Sequence, residues 1–164
     1  MTKTTRILAA VLGTVILLAA GLANAQDDND KYLEMVRQDI KTGKTAYMTE
    51  GMELTAEQGE VFWPIYRDYL TKLSSIGDRQ IALIKDYAVN WDSMTQAKAA
   101  EIMTASFKNQ KDKIKLLEGT AKTVAKDLDP ITAARFVQLE RALHLLIDEQ
   151  LTREIPLFQK SAGE

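Results

Sequence analysis

The chain has 164 residues, with 21 lysines and arginines against 23 aspartates and glutamates, one histidine and no cysteine. That length suits one domain with one continuous core, and the mildly acidic balance supplies no global field for nucleic acid. Without cysteine there is no disulfide, no thiol nucleophile and no lipid-bearing cysteine at a processed N-terminus.

Lys3 and Arg6 precede an uncharged run from Ile7 to Ala23, and Ala23-Asn24-Ala25 places small residues where a signal peptidase needs them. Residues 1–25 therefore read as a secretory signal peptide cleaved before Gln26. An uncleaved anchor is the alternative, because the run lies near the lower length limit for a span. Arg6 has no arginine neighbour, which argues against the twin-arginine route. Residues 26–164 then form a single helical domain in the periplasm, carrying 19 basic and 23 acidic residues, a net −4. Packing must hold this domain together, since disulfides cannot. It is rich in Ala, Leu, Lys, Glu, Gln and Met, with proline only at Pro64, Pro130 and Pro156, and it lacks alternating β-branched runs. The expected class is all-α: a four-helix antiparallel bundle or an extended helical hairpin, with a long kinked central helix.

After an acidic lead-in ending in a cap at Asp30, Leu33, Val36, Ile40, Gly43 and Tyr47 make the seam of a first helix. Gly43 marks either a close helix approach or a break, and Gly51 ends the element, leaving Met52 and Glu53 in the connection. Leu54-Thr55-Ala56-Glu57-Gln58 opens the central helix, with Thr55 as N-cap and Gln58 completing a capping box. Phe62, Tyr66, Tyr69, Leu73, Ile76, Gln80, Leu83 and Tyr87 form its seam. A second stripe through Leu70, Ser74, Gly77, Ile81, Ile84 and Ala88 widens the face to two helix partners. Pro64 predicts a kink or restart. The surrounding Phe62, Trp63, Tyr66 and Tyr69 read as core packing that stabilises the kink, or as an aromatic groove for a client protein.

Residues 88–94 reverse the chain, and Thr95 caps a third helix with the seam Met103, Phe107, Gln110, Ile114, Leu117, Ala121, Val124 and Leu128. Folding the two long helices antiparallel places Gln80 opposite Gln110, unless both amides lie at a wet margin. The outer face of the third helix carries Lys108, Lys111, Lys115, Lys122 and Lys126. Such a stripe is either a solvated face or an attraction for anionic partners, whether membrane head groups or an acidic protein surface. Asp129-Pro130 is a cap followed by proline at the first helical position, and the fourth helix buries Phe136, Leu139, Leu143, Leu146 and Ile147. Arg153 suits its C-terminal pole, and Ile155-Pro156-Leu157-Phe158 leaves it as an apolar tail that docks on the bundle, with Ser161 to Glu164 loose.

Catalytic, cofactor and metal residues are not evident. His144 stands alone between Leu143 and Leu145 and reads as a boundary or core residue, not a base. The methionines sit at core spacing and read as packing before they read as copper ligands. No phosphate-binding or dinucleotide motif occurs, so an enzyme is the least supported class.

Leu54-Thr55-Ala56-Glu57-Gln58 resembles the LTxxQ signature of the periplasmic Spy/CpxP-like family, and Leu128-Asp129-Pro130-Ile131-Thr132 with Phe136 and Gln138 looks like a degenerate second copy. Phe62-Trp63-Pro64-Ile65-Tyr66, Phe136-Val137-Gln138-Leu139-Glu140 and Ile155-Pro156-Leu157 are similar to a group of secreted bacterial helical proteins that are mostly uncharacterised. The resemblance implies a small curved α-helical protein, commonly a dimer. It also implies a role as an ATP-independent chaperone, as an inhibitory partner of an envelope-stress sensor kinase, or as a metal-responsive protein. With one histidine, the metal reading is the weakest of the three. The expected function is binding of protein clients or one envelope signalling protein through Lys108, Lys111, Lys115, Lys122 and Trp63, with no cofactor and as a homodimer.

Overall fold

The computed structural model describes residues 41–154 and 157–158. The expected signal peptide, the expected cap at Asp30, the seam residues Leu33, Val36 and Ile40, Ile155-Pro156 and Ser161 to Glu164 lie outside them. Among the described residues the chain forms four α-helices and no strand: α1 over 41–52, α2 over Ala56–Val89, α3 over Gln96–Asp127 and α4 over Pro130–Glu154. A short 3-10 helix, Trp91–Ser93, joins α2 to α3.

Side-chain caps set the helix starts. Thr55 Oγ1 accepts the Gln58 N–H at 3.2 Å while Gln58 Oε1 accepts the Thr55 N–H at 3.0 Å, so the capping box forms in full. Thr95 Oγ1 accepts from the Lys98 N–H. Asp129 accepts from the N–H groups of Ile131 and Thr132 and from the Thr132 hydroxyl, which holds its carboxyl below the usual range. Through Pro64, α2 continues as one helix, so the expected restart does not occur. Pro64 and Glu60 are exposed, and water can reach the Glu60 carbonyl, which has lost its donor there.

The helices run antiparallel in sequence. Asp86 pairs with Lys98 while Arg79 pairs with Asp112, which fixes α2 against α3. Lys113 reaches Asp148 across α3 and α4, and Lys44 reaches Glu140 while Glu53 reaches Arg135 across α1 and α4. The main core gathers where α1 ends and α2 begins, beside the end of α3 and the start of α4: Met48, Met52, Phe62, Tyr66, Tyr69, Leu70, Val124, Ala133, Phe136 and Leu143. Beyond it, Ile76, Tyr87 and Ile102 are buried along the α2–α3 hairpin, and the Phe158 ring lies 4.7 Å from that of Tyr87 at a 56° tilt, a contact of the expected tail that falls within the described residues.

Two expectations about burial change. On α3 the expected seam is buried or half-buried only from Leu117 to Leu128, whereas Met103, Phe107, Gln110 and Ile114 are exposed. The face turned to α2 there is the neighbouring stripe of Ile102 and Asn109, and Gln80 accepts from Asn109 Nδ2 at 3.1 Å, not from Gln110. On α4, Leu146 is 43% exposed, while Phe136 and Leu143 are fully buried. Gly51 lies inside α1 with Leu139 against it: a Cβ there would sit 2.6 Å from Leu139 Cδ2, so any larger residue would have to displace the Leu139 side chain. The 53–55 connection turns on Glu53, which adopts φ 49°, and Arg135 holds it from α4 through the Glu53 carboxylate and the Gly51 carbonyl.

Candidate functional site

The outer face of α3 combines two kinds of exposed group. Met103, Phe107 and Ile114, 54–66% exposed, lie on one stripe of the helix at spacings of four and seven. Lys111 sits four residues after Phe107 and three before Ile114, so it stands within that apolar strip, with Lys108, Lys115 and Lys122 along its edge. Lys108 and Lys122 form i,i+4 pairs with Asp112 and Glu118, both lysines more than 70% exposed. Pairs of this kind hold side chains weakly, at about 0–1 kcal/mol, and are readily exchanged for another anion. Among the described residues Lys111 and Lys115 form no ion pair. A locally basic, partly apolar helix face thus lies on an acidic chain. Exposed apolar side chains beside lysines are chemically suited to contact an anionic, partly apolar partner.

Trp63 is not part of this face. It is half-buried in an open groove lined also by Thr49, Leu54, Thr55, Pro64 and Arg67, on the α1 side of α2. Phe62, Tyr66 and Tyr69 turn inward and are buried, and their rings meet Phe136 in a cluster with centroids 5.5–6.2 Å apart. Of the aromatics around Pro64, only Trp63 is placed to meet a ligand. Leu54 packs against the core, and Thr55, Gln58, Asp129 and Pro130 serve helix starts.

The most unusual group is Glu140, whose carboxylate is fully buried. Tyr66 donates to its Oε1 at 2.9 Å, Tyr69 to Oε2 at 2.9 Å and Lys44 to Oε2 at 3.0 Å, so α1 and α2 both converge on α4. His144 Nε2 lies 3.3 Å from Oε2 and 3.4 Å from the Tyr69 hydroxyl. A hydrogen on Nε2 is required there, because the other tautomer would set a lone pair against the carboxylate. Lys44 Nζ also lies 5.9 Å from the centre of the Tyr69 ring. No buried side-chain polar atom among the described residues lacks a partner.

Electrostatics follow from this packing. Burial pushes the Glu140 carboxyl up, but the His144 hydrogen bond and the charge and hydrogen bond of Lys44 together outweigh it and hold the group at about 2. Lys44 is displaced the other way from what its pairing alone would give: burial lowers it and outweighs the attraction of Glu140. The geometry favours the ionised pair, since four donors aim at two carboxylate oxygens and a protonated carboxyl would lose acceptor sites to them. Burial lowers His144 as well, helped by Lys113 and Lys44 and opposed by Glu140, and it is neutral near pH 7. Burial and then Glu140 raise both tyrosines above their ordinary value.

Neither Glu140 nor Lys44 stands out in the sequence as a functional residue. The available signal was an acid inside the apolar spacing Ala133, Phe136, Leu143, Ile147, and a lysine four residues before Met48 on the stripe that continues to Met52. His144 proves to be the boundary residue its neighbours suggested.

Among the described residues these features define an all-α protein of four antiparallel helices, three of which, α1, α2 and α4, meet around a buried hydrogen-bond network, while α3 presents a basic and apolar outer face. Comparison with protein-family models, with curated proteins and with solved structures gave no match. Among the described residues no helix is long and apolar enough to cross a membrane, and no three metal-ligating side chains come together.

Proposed function

We propose that the chain is a periplasmic protein that holds other polypeptides by weak contact on the outer face of α3, as an ATP-independent chaperone of the kind its LTxxQ resemblance implies. The observation that carries this reading is the placement of Lys111 between exposed Phe107 and Ile114. Magnitudes favour many weak clients over one tight partner. Three half-exposed side chains gain roughly 1 kcal/mol each on complete burial, less than the approximately 4–15 kcal/mol that association costs. Flexible or partly unfolded segments that bring further apolar groups, with acidic residues for the lysines, are the partners such a face fits. A homodimer doubles the faces and adds avidity.

The test is suppression of aggregation of an unrelated denatured protein without ATP. We expect the purified 26–164 protein to slow aggregation, Phe107→Ser to weaken the effect, and the combined Lys108, Lys111, Lys115 and Lys122→Gln variant to slow capture and remove its salt sensitivity. No protection at stoichiometric excess, with one saturable partner recovered from an envelope extract, would replace this reading by the dedicated signalling partner. Binding to anionic vesicles in place of protein would reassign the face to a membrane surface.

A further inference from the structure

The two helix pairings in this fold are held by polar contacts of different kinds. Where α2 meets α3, the buried polar residue is Asn109, which donates to the Ile76 carbonyl and to Gln80 and accepts from Arg79. Its amide does not titrate, and the ion pairs beside it, Arg79 with Asp112 and Lys98 with Asp86, are partly exposed and contribute little. Where α1 meets α2 and α4, the buried polar contact is the ionised Lys44–Glu140 pair. The other polar attachment of α1, at Gly51 and Glu53 to Arg135, sits beside the chain reversal and can act as a hinge.

We propose that residues 41–52 form an acid-releasable clasp: protonation of Glu140 detaches the helix from α2 and α4 while the α2–α3 hairpin persists, baring the aromatic face of Phe62, Tyr66, Tyr69 and Phe136. The groups around the carboxylate are Lys44 from α1, Tyr66 and Tyr69 from α2, and His144 from α4, with Lys113 of α3 acting on His144 and Lys44 from its pair with Asp148. Protonated Glu140 loses its attraction for Lys44 and spends one oxygen as a donor, so the donors that now converge on it compete for fewer lone pairs. Lys44 stays charged in acid and would remain in a buried site without its counter-ion, which is the costly half of a broken pair. Met48 and Met52, the apolar anchors of the clasp, leave with it.

The upper bound on the size of the effect follows from the carboxyl being held at about 2 when α1 is docked and rising toward its ordinary 4.5 when α1 is released, with Tyr66, Tyr69 and His144 still beside it. Docking then weakens by up to roughly tenfold at pH 3.5 and up to roughly thirtyfold at pH 3. His144 acts in the same direction below pH 6.5, because it takes up a proton more readily outside the buried site.

Hydrogen exchange read by mass spectrometry on the full 26–164 protein tests this, with protection factors corrected for intrinsic rates at pH 7 and pH 3.5. Amides of 41–52 should lose protection by up to about tenfold while those of α3 keep theirs, and a dye specific for exposed apolar surface should bind at pH 3.5. In Glu140→Gln, whose residue 140 cannot titrate, the loss of protection of 41–52 between pH 7 and pH 3.5 should shrink to the smaller part that His144 supplies. Equal loss in α1 and α3 would show global acid unfolding and overturn the proposal, as would unchanged protection of 41–52 in the natural protein. A pH response as large in Glu140→Gln as in the natural protein would also overturn it. The α1 against α3 comparison in the natural protein decides the matter even if the variant fails to fold.

Discussion

Lys44→Met removes the ammonium 3.0 Å from a carboxylate with no solvent exposure, and replaces it by a side chain of similar length that suits the neighbouring Met48. Breaking a buried pair from one side costs about 3–5 kcal/mol. Two tyrosine hydroxyls remain on Glu140 and the buried ammonium's own desolvation is relieved, which points to the lower end, about 3 kcal/mol. The pH dependence gives a second handle. Glu140 is lowered in the folded state, so its contribution is fully present above 4.5 and is lost as pH falls from there toward 2. By pH 3 the natural protein has lost roughly 2 kcal/mol of it. The variant, whose carboxyl lies nearer its ordinary value, has lost little. Urea melts should therefore show a difference of about 3 kcal/mol at pH 7 that shrinks to about 1 kcal/mol at pH 3. A difference under about 0.5 kcal/mol at pH 7, within the usual range of exposed pairs, or one that does not change with pH, would refute the ionised lock.

Phe136→Ala, at the centre of the ring cluster, should cost about 3–5 kcal/mol in the same melts, while Phe107→Ala on the exposed strip should be close to neutral. Gly51→Ala should destabilise by about 1–3 kcal/mol, because its methyl meets Leu139, and the cost should fall when combined with Leu139→Ala. Gly119→Ala should raise stability by about 0.5–1 kcal/mol, since the position is helical and nothing lies within 4 Å of the added carbon.

Helix starts were legible because each rests on residues adjacent in sequence: Thr55 with Gln58, Thr95, and Asp129 with Pro130. The α2 seam was legible for a related reason. Phe62, Tyr66, Tyr69, Ile76 and Tyr87 are all buried, as a stripe that meets partners along its whole length should be. On α3 the spacing permitted two adjacent stripes, and nothing local says which one faces α2. The stripe through Asn109 faces it, and the exposure of Met103, Phe107 and Ile114 follows from that rotation. Glu140 was illegible for a different reason. A charge on an apolar stripe is tolerated only if distant residues satisfy it, and its partners Lys44, Tyr66 and Tyr69 lie 71 to 96 positions away. The basic stripe was readable as a pattern, but the exposure of its apolar neighbours Met103, Phe107 and Ile114 follows only from three-dimensional packing.

A photo-crosslinking residue placed singly at 107, at 63 and at 89 would test the proposed role of α3 most directly, using a denaturing client protein and the 26–164 chain. Crosslinks concentrated at 107, weakened by the four lysine-to-glutamine changes and weaker at 63 and 89, are the predicted result. Equal yields at all three positions, or yields at 107 indifferent to the lysines, would contradict binding on the outer face of α3.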